Sequence, residues 1–87
     1  MLTYLNGFGV RVEVTDKEDI KKWYKIDNTL STLDNDTFHK YIEVIGDYVW
    51  EWKTAERKRA YNRVYRIGKK LGFTVSELEM WYCIEEF

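Results

Sequence analysis

Apolar and polar residues alternate near the N-terminus. Phe8, Val10, Val12 and Val14 are separated by Gly9, Arg11 and Glu13, which places four apolar side chains on one strand face. A shorter apolar stretch, Leu2 to Leu5, precedes Asn6-Gly7, a pair that tolerates the positive φ of a tight turn. The pattern predicts a β-hairpin over residues 2–14. From there the period changes. Thr15-Asp16-Lys17-Glu18 fits a capping box with Thr15 as cap, and predicts a short helix to about Ile26 with Ile20, Trp23 and Tyr24 inward. Residues 27–37 are polar and read as turns, anchored by Leu30 and Leu33.

A second helix is expected from Asp34 or Asp36, because Phe38, Tyr41, Ile42, Ile45, Val49 and Trp52 recur at intervals of three and four. Ala60, Val64, Ile67 and Leu71 form a third set. At 3.6 residues per turn the apolar stripe rotates by about 90° between the two sets. The chain should therefore break near Thr54, which is also a candidate N-cap. Gly72 follows Leu71 where helices commonly end in a left-handed residue. Thr74-Val75-Ser76-Glu77 is a second capping box and predicts a last helix from about Val75 to Glu85, with Leu78, Trp81 and Tyr82 inward. The expectation is a single α+β domain over residues 1–87: an N-terminal β-hairpin, then a small bundle of about four helices.

Composition narrows the class. The 87 residues are 45% hydrophobic and 17% aromatic, enough for a core without covalent staples. No run of about 18 apolar residues is present, so no membrane-spanning helix and no membrane partner are expected. The start lacks the charged-then-apolar pattern of a secretory leader. Cys83 is the one cysteine and His39 the one histidine, which excludes an intrachain disulfide and a cysteine-built zinc site. A reducing, cytoplasmic setting is the natural expectation. No phosphate loop, metal-ligand spacing or nucleophile elbow occurs. Asp34 and Asp36 read as capping residues rather than a catalytic pair. The reading is therefore of a protein that is not an enzyme, with no catalytic residues, no cofactor and no metal.

Charge changes the picture more than composition does. The net charge is −1, from 14 basic and 15 acidic groups. Residues 1–52 hold six basic and ten acidic groups, a net of −4. Residues 53–70 hold eight basic groups against Glu56 alone, a net of +7, and residues 71–87 hold four Glu and no base, a net of −4. On a helical wheel Lys58, Arg59, Arg63, Arg66, Lys69 and Lys70 fall opposite Ala60, Val64, Ile67 and Leu71. Such a stripe suits nucleic-acid phosphates or an acidic protein surface, and is also what a solvated helix face looks like.

Residues 64–82, from Val64 through Gly68, Gly72 and Phe73 to Trp81 and Tyr82, resemble the helix-turn-helix of bacterial and phage regulators. Ile67 and Leu71 match its inward positions, Gly68 its helix-contact position, Gly72 its turn glycine, and Phe73, Leu78 and Trp81 its remaining apolar positions. The resemblance implies a second helix that reads bases in the major groove. Here that helix offers Ser76, Glu77, Glu79, Met80 and Cys83 outward, and its carboxylates repel phosphate. In size, aromatic content and lack of proline, the chain resembles small phage-encoded anti-defence proteins, anti-CRISPR and host-takeover proteins among them.

Four Trp and seven Tyr are many for so short a chain. They can fill the core, or present the residue types that dominate binding hot spots. Trp50 and Trp52 cannot share one helix face, so Trp50 is expected to be partly exposed. The leading expectation is an interaction protein that inhibits or modulates a bacterial host protein or nucleoprotein complex through Trp50, Arg59, Arg63, Arg66 and Trp81. The alternative is a helix-turn-helix-like transcriptional regulator that binds nucleic acid through Lys58, Arg59, Arg63, Arg66, Lys69 and Lys70.

Overall fold

The computed structural model describes residues 1–86. Two strands open the chain, β1 (Leu2–Leu5) and β2 (Arg11–Glu13), paired antiparallel with Thr3 opposite Glu13 and Leu5 opposite Arg11. The hairpin is present, but its connection spans residues 6–10 rather than a two-residue Asn-Gly turn. The Asn6 carboxamide oxygen accepts from the backbone N–H of both Phe8 and Val10, and Gly9 takes the positive φ of 76°. This loop ends the predicted alternation early. Val14 is buried and Val12 partly buried, whereas Val10 is exposed and Phe8 is 93% exposed.

Helix α1 (Lys17–Ser31) starts one residue later than its sequence signal suggests. Asp16, not Thr15, is the cap, and its carboxylate accepts from Glu18 and Asp19 N–H; a carboxylate also suits the positive end of the helix dipole. The helix does not stop at Ile26. Ile26 and Leu30 lie four apart and are both buried, and this shared face carries the helix through polar residues 27–29. The hydroxyls of Thr29 and Ser31 donate to the carbonyls of Lys25 and Asp27.

Helix α2 (Asn35–Trp50) follows, with Asp34 in the cap position. The break then falls at residues 51–53, with Glu51 extended at φ −87° and ψ 130°. Its carboxylate accepts from Trp52 and Lys53 N–H. Helix α3 (Thr54–Leu71) therefore begins after a Lys53 cap that makes no side-chain bond, and Thr54 is its first residue rather than its cap. Arg57 reaches back from α3 to donate to the carbonyls of Tyr48 and Glu51, at 2.9 and 3.1 Å, while its guanidinium lies 4.3 Å from the Tyr48 ring centre. It fixes the corner by serving the free carbonyls at the end of α2.

Gly72 ends α3 at φ 87°, and the N–H groups of Gly72 and Phe73 both donate to the Gly68 carbonyl. Thr74 and Glu77 form the reciprocal capping box of α4 (Val75–Cys83). Helix α4 ends at Cys83, two residues short of the expectation, and runs into a strand that the sequence pattern does not reveal, β3 (Ile84–Glu86). β3 pairs antiparallel with β1, giving the order β2-β1-β3. The two ends of the chain thus share one three-stranded sheet, and the fold is α+β.

Helix α4 is the hub. It lies against α1, α2 and α3, with Leu78 fully buried beside Val75 and Trp81. The Trp81 indole donates to Asp27, and the Trp81 carbonyl accepts from the Trp23 indole at 3.1 Å. Tyr24 adds a hydrogen bond to the Glu86 carboxylate, which raises the phenol above its ordinary pKa. Across the sheet, Arg11 donates to Thr3 and pairs with Glu85 at 3.4 Å.

Candidate macromolecular interface

The sequence of α3 sets its two faces. Ala60, Val64, Ile67 and Gly68 recur at three and four and are buried. The remaining positions hold Lys58, Arg59, Arg63, Arg66, Lys69 and Lys70, all exposed. Among the described residues none of these six forms an ion pair; the two ion pairs present are Arg11–Glu85 and Lys22–Glu77. Lys69 and Lys70 occupy the last turn, where the helix dipole favours cations. Arg57 is committed to the α2–α3 corner and is not part of this set.

The basic face is not uniform. Arg59 and Arg63 lie one turn apart and line a groove of about 520 Å³ between α2 and α3. Trp50 stands in its opposite wall, 72% exposed, with its indole donating to the Tyr82 hydroxyl at 3.4 Å. Gly46 allows the α4 ring to come this close: a Cβ there would lie 2.9 Å from the Tyr82 oxygen. Carboxylates share the groove, with Glu43, Asp47 and Glu51 on the α2 side and Glu56 on α3. Trp50 and Tyr82 also line a second groove, of about 490 Å³, that reaches Tyr4 and Leu5 of the sheet.

Three of the five residues expected at a partner contact, Trp50, Arg59 and Arg63, thus come together in one groove. Arg66 is exposed on the same helix but does not line it. Trp81 does not belong with them. It is 8% exposed, because both its indole N–H and its carbonyl are engaged with α1. It is a core residue.

The aromatic reading of the sequence also misses a group. Trp52 is expected inward on α2, yet α2 ends at Trp50 and Trp52 is 91% exposed. Tyr61 and Tyr65 are exposed on α3 among the bases. Their signal is present in the sequence: they lie four apart and off the Ala60–Val64–Ile67 stripe. Tyr61 packs edge-on against Tyr48, with ring centres 5.9 Å apart.

Helix α4, the base-reading element in the helix-turn-helix resemblance, is enclosed by three helices. Of its residues only Ser76 and Cys83 are exposed, the others being partly or wholly buried. Glu77 is committed to the Thr74 cap and to Lys22, 3.0 Å away, and these contacts hold its carboxyl below the usual range. Partial burial, with Glu79 nearby, pushes the Cys83 thiol up, so it stays protonated at neutral pH. His39 is exposed and edge-on to Phe38. Among the described residues no three His, Cys, Asp or Glu side chains cluster in a way that could hold a metal ion, and no helix is long and apolar enough to cross a membrane. Comparison with family models, curated proteins and solved structures returns no match.

Proposed function

We propose that the chain is a non-enzymatic interaction protein that binds a protein partner through the groove between α2 and α3 and occludes or modulates that partner's working surface. The observation that carries this reading is the convergence of exposed Trp50 with Arg59 and Arg63 around one groove, the two arginines lacking ion pairs among the described residues. Trp and Arg are the side chains that most often anchor interfaces. The groove is also the wrong place for a polyanion. Its four carboxylates outnumber its two guanidiniums, so a phosphate chain is repelled there, while a protein segment with both charges and an apolar anchor is accommodated.

The size and aromatic content shared with phage anti-defence proteins support a bacterial host protein or nucleoprotein complex as the target, met in the cytoplasm. The enclosure of α4 supports protein binding over a helix-turn-helix regulator, whose reading helix must be free. The test is an affinity pull-down from nuclease-treated bacterial lysate, comparing wild type with Arg59→Glu/Arg63→Glu and with Trp50→Ala. The expected result is a dominant protein that both variants lose while keeping the wild-type circular dichroism. A capture profile identical in all three would overturn the proposal.

A further inference from the structure

We propose that the other flank of α3 is a second, separate site, a stacking platform for single-stranded nucleic acid built on Trp52, Tyr61 and Tyr65. Tyr61 is two residues from both Arg59 and Arg63, which places it about 160° around the helix from them. It therefore faces away from the Trp50–Arg59–Arg63 groove. On its own side a cleft of about 320 Å³ is lined by Trp52, Tyr61, Arg57 and Lys58, with Tyr48 behind. Trp52 is almost wholly exposed, and its placement is not explained by packing. Two aromatic walls with a cation at the edge are the elements that receive a nucleobase and its phosphate.

The platform continues along the helix. Tyr65 is one turn beyond Tyr61, about 6 Å, and Lys69 one turn beyond Tyr65. Lys58 and Lys69 are eleven residues apart, about 16 Å along the axis, which spans roughly five phosphates of a stacked strand at 3.4 Å each. Arg66 and Lys70 fall on the Arg59–Arg63 side of the helix, away from this line, and Glu56 is the one carboxylate on α3. The acidic residues that exclude phosphate from the groove are on its far side. Duplexes keep their bases stacked on each other, so a flank that offers ring faces favours a single strand.

The experiment is fluorescence anisotropy of a labelled ten-nucleotide strand of mixed sequence, as DNA and as RNA, against the matching duplexes and a poly-glutamate peptide of equal length. The single strand should bind more tightly than the duplex and the peptide; the DNA and RNA arms show whether the 2′-hydroxyl contributes. With three or four phosphates contacted, affinity should fall about 20- to 50-fold between 50 and 200 mM salt. Trp52→Ala and Tyr65→Ala should each weaken binding by about 5- to 150-fold, and Tyr65→Trp should retain it. Trp50→Ala, on the groove side, should leave it within about twofold, so this site and the groove are tested separately. Absence of single-strand binding at 50 mM salt, duplex or peptide binding of equal strength, or alanine variants that retain wild-type affinity would each overturn the proposal.

Discussion

Gly68→Ala probes the tightest approach in the molecule. A Cβ at Gly68 would lie 2.3 Å from the Phe73 carbonyl oxygen and 3.2 Å from its carbon, both backbone atoms, and 3.5 Å from a Leu78 methyl. The backbone oxygen must retreat by about 1 Å to reach ordinary contact. It sits in a segment held by the left-handed Gly72, by two N–H donors onto the Gly68 carbonyl and by the Thr74 capping box. Forced overpacking costs about 1–3 kcal/mol, and straining the two turn hydrogen bonds adds about 1 kcal/mol. The higher helix propensity of Ala returns about 1 kcal/mol. The net is a loss of about 1–3 kcal/mol at this buried site, or roughly 4–24 °C in Tm for a domain of this size. Thermal and urea unfolding followed by far-UV circular dichroism measures it. Gly46→Ala is the internal control, because its close neighbour is the Tyr82 hydroxyl, the end of a side chain that can tilt; its cost should be about 1 kcal/mol or less once propensity is included. A Gly68→Ala variant as stable as wild type, or no worse than Gly46→Ala, would refute this account of the α3–α4 turn.

Other outcomes follow from the same structure. Leu78→Ala should cost about 2–5 kcal/mol, because Leu78 is fully buried at the centre of the bundle; urea unfolding reads it. Thr74→Ala removes the cap of α4 and should cost about 1 kcal/mol by the same assay. The contacts of Glu77 with Thr74 and Lys22 lower its carboxyl below the unfolded value. Their stabilisation is therefore complete above about pH 4.3 and is lost as pH falls through the lower folded pKa. The urea-midpoint gap between wild type and Glu77→Gln should accordingly be open at pH 7 and shrink in acid. Arg63→Glu and Trp52→Ala alter exposed residues that make no ion pair among the described residues and should stay within about 0.5 kcal/mol of wild type.

Local signals read well wherever the decisive interaction is local. The Gly72 stop, the Thr74–Glu77 box and the break after α2 are set by residues within a few positions of each other, and all three occur as the sequence indicates. β3 is different. Ile84-Glu85-Glu86 has no strand pattern of its own and is extended because it pairs with β1, some 80 residues away in the chain. The extra turn of α1 has the same origin. Asp27, Asn28 and Thr29 look like a turn until Ile26 and Leu30 are buried together.

At the surface, the basic face of α3 is legible because charge and helical period coincide there. The division of that face is not legible, because it depends on where α2 ends. Two residues decide it: Trp50 closes the helix and lines the groove, and Trp52 leaves the helix and turns to the opposite flank. Trp81 shows the reverse error, an aromatic near the C-terminus whose partners on α1 fix it in the core.

The central claim is that the Trp50–Arg59–Arg63 groove holds a protein partner. The nuclease-treated pull-down with wild type and Arg59→Glu/Arg63→Glu tests it most directly. The account predicts one dominant protein retained by wild type and lost by the folded variant. The same proteins recovered at the same level with both would contradict it.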